Sequence, residues 1–121
     1  MANVKESIAR IMEVDGALAV AIVDSNSGMM LGSSSPSGVI DLEVAAAGNT
    51  EVVRAKRKTM KALNLRDNID DILITLQHQY HLIRPLSSND ALFIYLVLDK
   101  QKSNLAMARY QLTGAEKALT V

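Results

Sequence analysis

The sequence predicts an α+β domain built on a five-stranded antiparallel sheet of order 2-1-5-4-3, with one long helix on one face and both terminal helices on the other. Residues 17–23 and 91–98 are apolar at both alternating positions, which is typical of central strands buried on both faces. The links between 71–77, 80–86 and 91–98 are too short for a parallel crossover, so these runs form an antiparallel meander. The longest helical pattern, at 40–63, supplies the long helix.

The composition indicates one compact domain over residues 1–121, because 49 % hydrophobic residues are enough to bury a core. The 13 Lys and Arg residues balance the 13 Asp and Glu residues, so no net charge favours nucleic acid or an anionic membrane. The absence of cysteine excludes disulfides, thiol nucleophiles and cysteine-ligated metals. No secretory signal or membrane-spanning run is recognisable, so we expect a soluble, unprocessed, cytoplasmic protein.

The first elements are a short helix and a hairpin. The helix is predicted over 4–14, where apolar residues recur at helical spacing and Asn3 with Glu6 forms a capping pair. Strand 17–23 then turns through a cluster of Asp, Ser, Asn and Gly residues into a return strand at 29–33. The Ser- and Pro-rich stretch that follows is expected to be a flexible connector.

The long helix carries three stripes when its residues are placed ~100° apart. The first is apolar and is assigned to the sheet: Leu42, Ala45, Ala46, Val53, Met60 and Leu63. The second, the small-residue stripe, consists of Val44, Gly48, Val52, Ala55, Thr59 and Ala62. The third, the basic stripe, consists of Arg54, Arg57, Lys58 and Lys61. A helix with two apolar stripes needs two partner surfaces, so the small-residue stripe is expected to meet a partner other than the sheet.

The strands of the meander differ in their expected burial. Run 71–77 carries Asp71, Thr75 and Gln77 among its apolar residues, so it suits a sheet edge. Run 91–98 is apolar throughout and suits the centre beside the first strand. The final helix, predicted over 102–119, joins the first helix on the face opposite the long helix.

No catalytic or cofactor-binding motif is recognisable. His78 and His81 are the only histidines and, at spacing i, i+3 in a strand, they point to opposite faces and cannot share a metal ion. Asp67, Asp70 and Asp71 form an acidic cluster, which is either a paired-carboxylate site or, more commonly, a solvated entrance to an edge strand. We therefore expect no catalytic residue, no cofactor and no metal site.

The basic stripe is the only polar feature with a defined shape. No aromatic residue is interleaved with it, so base stacking is unsupported and phosphate contact would be generic. It is either a plain solvated face or a docking surface for an acidic protein partner. The three tyrosines are scattered over different elements and are expected to be packing residues: Tyr80, Tyr95 and Tyr110.

Three segments resemble the roadblock/dynein light chain family, and more narrowly its small bacterial members: VAAAGNTEVVRAK at 44–56, QYHLIRPL at 79–86 and FIYLVLD at 93–99. The resemblance covers residues 4–119 and consists of packing residues rather than a catalytic signature. It implies the roadblock fold, in which a five-stranded antiparallel sheet has a long helix on one face and the terminal helices on the other. This agrees with the order of elements derived above.

The resemblance also implies homodimerisation and a role with small GTPases. Family members typically pair their long helices and their edge strands, which here implies an interface of Val44, Gly48, Val52, Ala55, Ile72, Ile74 and Leu76. Members regulate small Ras-like GTPases or serve as platforms for them, and some bacterial members stimulate GTP hydrolysis by a partner. Eukaryotic relatives also serve as dynein light chains and lysosomal scaffold subunits. The resemblance implies a non-enzymatic regulator or scaffold, and we assign electrostatic guidance of docking, but no arginine finger, to Arg54, Arg57, Lys58 and Lys61.

Two alternatives remain at this stage. A sheet-and-helix domain can hold a small molecule between its layers, so a small-molecule sensing module is one of them. The other is a purely structural subunit that needs a related but different chain at its edge strand. The sequence distinguishes neither a stimulator of hydrolysis from a passive platform nor a homodimer from a heterodimer.

Overall fold

The computed structural model describes residues 1–121. The elements along the chain are α1 (Val4–Ile11), β1 (Ala17–Asp24), β2 (Met30–Ser34), α2 (Leu42–Ala62), β3 (Ile72–Thr75), β4 (Gln79–Pro85), β5 (Leu92–Asp99) and α3 (Leu105–Ala118). Every predicted element is present in the predicted order. The three helices and β3 are shorter than predicted, because sequence patterns locate the ends of an element less precisely than backbone hydrogen bonding does.

The five strands form one sheet of order β2-β1-β5-β4-β3, and each neighbouring pair is antiparallel. The predicted fold class is therefore confirmed. β1 and β5 are central because only a central strand offers two covered faces to its apolar side chains. β3 pairs with β4 alone, which leaves the outer edge of β3 free in a single copy of the chain.

Two layers of apolar side chains cover the sheet. In the layer under α1 and α3, the residues that come from β1 and β5 are the even-numbered ones. This layer includes Ile8, Ile11, Val20, Ile22, Ile94, Leu96 and Leu112. The layer under α2 includes Ala19, Ala21, Val23, Ala46, Val53, Ile83, Phe93, Tyr95 and Val97. The alternation predicted for β5 is confirmed, since its odd-numbered residues contact the α2 layer and its even-numbered residues the other.

Both ends of α2 have capping interactions. The side chain of Asp41 accepts a hydrogen bond from the amide of the third helical residue at 3.3 Å. At the other end Asn64 has φ 57°, and the Leu65 amide donates to the Met60 carbonyl at 2.9 Å, as in a Schellman motif. Leu63 is the C-cap residue and is 61 % exposed, so its assignment to the sheet side is wrong. The helix is ~32 Å long at 1.5 Å per residue, which carries this end beyond the sheet.

The structure also decides an alternative left open for Asp71 and corrects an expectation about Tyr110. Asp71 does not join a carboxylate site, because both of its oxygens accept hydrogen bonds from Arg109 of α3 at 2.9 and 3.0 Å. Tyr110 is not a packing residue, since it is 77 % exposed on the outer side of α3 while Ala108 and Leu112 face the sheet. None of the three helices combines the length and the apolar character needed to span a membrane.

Candidate functional site

The face of the sheet under α2 is only partly covered by that helix. α2 packs on β1 and β2, and the β3–β4 side of the same face lies beyond it. Ile72 belongs to the apolar layer under α2, and Ile74 lies two residues further along the same side of β3. Ile74 pairs with His81 of β4, and all three residues are half-buried. We call Ile72, Ile74 and His81 the open shelf, because a second layer is missing above them.

The small-residue stripe of α2 is largely exposed. Val44 is 69 % exposed, and Gly48 and Ala55 are also exposed, whereas Val52 is half-buried against the layer under α2. A Cβ atom added at Gly48 would meet no atom within 4 Å. The stripe therefore makes almost no contact within one copy of the chain, in agreement with the expectation that it does not serve this sheet.

The orientation of α2 places the stripe and the open shelf on the same side. On one flank of the helix, Arg54 Nη2 donates to the carbonyl of Asn26 in the β1–β2 turn at 2.6 Å. On the opposite flank, the Asn49 side chain interacts with the Tyr95 hydroxyl of β5. At ~100° per residue, the small-residue stripe extends from the outward side of α2 toward the Asn49 flank. It thus faces outward and is inclined toward the flank on which the open shelf lies.

The basic stripe lies on the other flank, and its four side chains differ in their contacts. Arg54 is held by Asn26 and Arg57 Nη2 donates to the carbonyl of Asp90 at 2.7 Å, so both arginines tie α2 to turns at one end of the sheet. Lys58 and Lys61 are exposed and make no hydrogen bond or ion pair. The two lysines are therefore the members of the stripe whose charges are available to a partner.

A polar network occupies the open shelf. His81 Nδ1 lies 2.8 Å from the Tyr95 hydroxyl, and His81 Nε2 lies 2.8 Å from Gln79 Oε1. The two rings meet edge to face, with centroids 5.5 Å apart. Burial lowers the pKa of His81 below its usual value, because it disfavours the charged imidazolium. Burial raises the pKa of Tyr95, and the interaction with Asn49 partly opposes that rise.

A cleft of about 750 Å³ opens at one end of the sheet, between the last turns of α2, the segment 64–71 and the β4–β5 turn. Glu116 of α3, which is 3 % exposed, fixes one wall by accepting from Arg84 Nε at 3.0 Å and from Ser87 Oγ at 2.9 Å. Arg57 and Lys61 reach the cleft from the basic stripe. Asp67, Asp70 and Asp90 also line it, so its walls carry charges of both signs.

Comparisons with known proteins place this geometry in a known fold. No protein-family model matches the sequence, and no curated protein is significantly similar to it. Among solved structures, Myxococcus xanthus MglB superposes with a TM-score of 0.79 at 17 % identity, covering 94 % of this chain and 91 % of that one. A Roadblock/LC7 domain from Streptomyces avermitilis superposes with a TM-score of 0.81 at 7 % identity, covering 97 % and 94 %. The chain has the roadblock/LC7 fold.

A further structure with the roadblock/LC7 fold is described as MglB with tetrameric arrangement. It matches with a TM-score of 0.80 at 14 % identity and covers 94 % of this chain and 82 % of that one. The resemblance noted in the sequence is therefore confirmed at the level of the roadblock/LC7 fold. These identities are too low to carry a function across, so the residues themselves must support any proposal.

The structure brings together some of the predicted site residues and separates others. Val52 and Ile72 both pack against the layer under α2. Val44, Gly48 and Ala55 are exposed on α2, and Ile74 is half-buried on the edge strand β3. Leu76 was expected in the edge strand but lies after it, where its amide donates to the Gln79 carbonyl at 2.9 Å and closes the β3–β4 turn. The contact between His81 and Tyr95 was missed, because it depends on the register of β4 and β5, in which Ile83 lies opposite Tyr95.

Proposed function

We propose that this protein is a non-enzymatic homodimeric regulator or scaffold that binds a small Ras-like GTPase. The observation that supports the proposal is that the small-residue stripe of α2 is largely exposed and that the outer edge of β3 has no partner strand in one copy of the chain. The solved MglB with a tetrameric arrangement supports self-association, since a relative with the same fold assembles. The GTPase rests on the family resemblance of the sequence.

In the proposed dimer, a second copy related by a two-fold axis covers the small-residue stripe and this edge. The two α2 helices pack through their small residues, because Gly48 and Ala55 allow a close approach of the helix backbones. The outer edges of the two β3 strands then pair, which satisfies the backbone groups that a free edge leaves open. Ile72 and Ile74 are covered as the shelf closes. Because both are already half-buried, each contributes only part of the ~1.5–3 kcal/mol that a fully exposed side chain would contribute, before the cost of association.

The basic stripe lies outside the proposed dimer interface and is the docking surface in this proposal. Arg54 marks the flank of α2 that faces the β1–β2 turn, which is opposite the shelf. Lys58 and Lys61 make no hydrogen bond or ion pair within the chain, so an acidic GTPase surface would not have to break an existing ion pair. A partner that binds one nucleotide state better than the other shifts the switch equilibrium, and this differential affinity would modulate GTP hydrolysis.

The test is a pull-down from the native lysate with tagged protein, run with a non-hydrolysable GTP analogue and with GDP. We expect recovery of a ~20–25 kDa GTPase in one nucleotide state, and a loss of at least ~10-fold on Lys58→Glu/Lys61→Glu. The matched control is Lys5→Glu/Lys117→Glu, which has the same charge change on exposed residues of α1 and α3. Its recovery should equal that of the wild type. The dimer mass should be unchanged in both variants.

Recovery that is equal for the two double variants would contradict the docking surface on α2. Recovery of no GTPase with either nucleotide, from an intact dimer, would contradict the GTPase partner. Raising the salt concentration from ~50 to ~500 mM should weaken the complex, because exposed charges more than a few ångströms apart are screened. A complex that is insensitive to salt would contradict guidance by the lysines.

The cleft beside α3 favours a second candidate function, the small-molecule sensing module. Its volume of about 750 Å³ lies in the range of ligand pockets, and the buried Glu116 gives it a rigid wall. A metabolite that binds there raises the melting temperature of the wild type. The same metabolite should have no effect on an Asp70→Lys variant, since Asp70 lines the cleft and is exposed.

A further inference from the structure

We propose that self-association of this protein is switched off by acid through His81, whose neutral form is needed for a second copy to close over the open shelf. The proposal rests on the homodimer proposed above and adds its regulation. His81 lies on the open shelf that the second copy would cover, because it pairs with Ile74 of the edge strand β3.

The hydrogen bonds of His81 fit the neutral imidazole. Gln79 Oε1 can only accept, so Nε2 carries the proton and donates to it over 2.8 Å. Nδ1 is then the acceptor for the Tyr95 hydroxyl at 2.8 Å. A second proton on Nδ1 would point at that hydroxyl, which would then have to turn its own proton away. The neutral imidazole therefore satisfies both hydrogen bonds as they stand, whereas protonation requires the Tyr95 hydroxyl to change from donor to acceptor.

The surroundings of His81 contain little that would stabilise an imidazolium ion. The titratable residues of β5 on this face are Tyr95 and Asp99. Asp99 lies opposite Gln79, and its Oδ1 accepts a hydrogen bond from the Gln101 amide at 3.0 Å. From β3, the residue paired with His81 is the apolar Ile74. From α2, the nearest charged side chain along the Asn49 flank is Lys56, two turns further on, and a cation there opposes protonation. No carboxylate hydrogen-bonds the imidazole.

A second copy that covers the open shelf removes the remaining water from His81. Since desolvation disfavours the imidazolium, the pKa of His81 is lower in the pair than in the free copy, where it already lies below its usual value of 6.5. Association is therefore fully favourable above pH 6.5 and weakens as the pH falls and the free copy takes up protons. Each pair must release one proton from each His81, so the dissociation constant rises up to ~100-fold per pH unit at the steepest point.

The experiment is sedimentation equilibrium of the full chain at pH 7.5 and pH 5.5. We expect the dissociation constant of the wild type to be higher at the lower pH. His81→Gln, which keeps a neutral amide at this position, should associate equally at both pH values. His78→Gln is the matched control, because it removes the other histidine, which is exposed in the β3–β4 turn, and it should behave as the wild type does. Far-UV circular dichroism at pH 5.5 checks that every variant remains folded.

Three outcomes would overturn the proposal. A wild-type dimer whose dissociation constant does not change with pH would refute the switch and leave the homodimer intact. An equal response to pH in the wild type and His81→Gln would assign the effect to another group. A wild type that is monomeric at both pH values would refute the homodimer and this inference with it.

An NMR titration of the His81 ring in the wild type covers the case in which His81→Gln does not associate. Its midpoint should move to lower pH when the protein concentration is raised from well below to well above the dissociation constant. A midpoint that is independent of concentration would refute the coupling of protonation to association.

Discussion

The substitution Gly48→Gln should raise the stability of one copy of the chain and lower the affinity between two copies. Within one copy, a side chain at position 48 meets nothing, because an added Cβ has no atom within 4 Å. Glutamine is also a better helix former than glycine by about 0.5–1 kcal/mol. The melting temperature of the monomer should therefore rise, by about 2–4 °C at ~4 °C per kcal/mol for a domain of this size.

Between two copies, the same side chain enters the space that the proposed helix pair needs. Overpacking a tight contact costs ~1–3 kcal/mol, and the two-fold axis places two copies of position 48 in one interface. The cost of association is then ~2–6 kcal/mol, which corresponds to a dissociation constant raised by about 30-fold to about 20,000-fold. The variant should thus be a more stable monomer and a much weaker dimer.

The assay is sedimentation equilibrium for the dissociation constant, together with thermal unfolding at a protein concentration below that constant. Ala47→Gln is the matched control, because it places the same side chain one residue earlier, on the side of α2 that borders Gly28 in the β1–β2 turn. That control should associate as the wild type does. If Gly48→Gln and Ala47→Gln have dissociation constants within ~2-fold of the wild type, Gly48 is not in the interface and the assignment of the small-residue stripe is refuted.

Three further predictions concern the fold around the site. Glu116→Ala leaves Arg84 without its buried partner and should lower the free energy of unfolding by ~3 kcal/mol, measured by urea denaturation. Gly32→Ala places a Cβ 2.6 Å from Val4 Cγ1 and should cost ~1–3 kcal/mol, of which Val4→Ala in the same chain should restore part. Because its pKa is raised in the folded state, Tyr95 contributes to the free energy of unfolding fully below pH 10, and this contribution is lost as the pH rises through the folded-state pKa. The difference in free energy of unfolding between wild type and Tyr95→Phe should therefore shrink above pH 10.

Each of these has an outcome that contradicts it. Glu13→Ala removes an exposed carboxylate and should change stability by less than ~0.5 kcal/mol, so an equal loss from the two glutamate variants would contradict the buried ion pair. Strictly additive effects of the Gly32 and Val4 substitutions would contradict their contact. A difference between wild type and Tyr95→Phe that stays constant from pH 8 to pH 11 would contradict the effect of burial on the tyrosine.

The fold was predictable because its signals are local. The two-sided apolar pattern of 91–98 requires a central strand, the mixed pattern of 71–77 requires an edge, and the short links require antiparallel pairing. The separation of α2 into stripes was predictable for the same reason, since helical periodicity is fixed by the backbone. The errors at Leu63 and Leu76 lie at element ends, where periodicity persists but backbone hydrogen bonding has changed.

The properties of the candidate site depend instead on tertiary contacts. Periodicity makes Arg54 and Lys58 equivalent, but only the packing of α2 on β1 and β2 brings Arg54 to the Asn26 carbonyl and leaves Lys58 free. The same position of α2 leaves the shelf open on its other side. The contact of His81 with Tyr95 depends on the register of two strands. The sequence by itself thus determined the fold and the faces of each element, whereas the tertiary structure decided which charges are free and which surface lies uncovered, because these depend on residues that are distant in the chain.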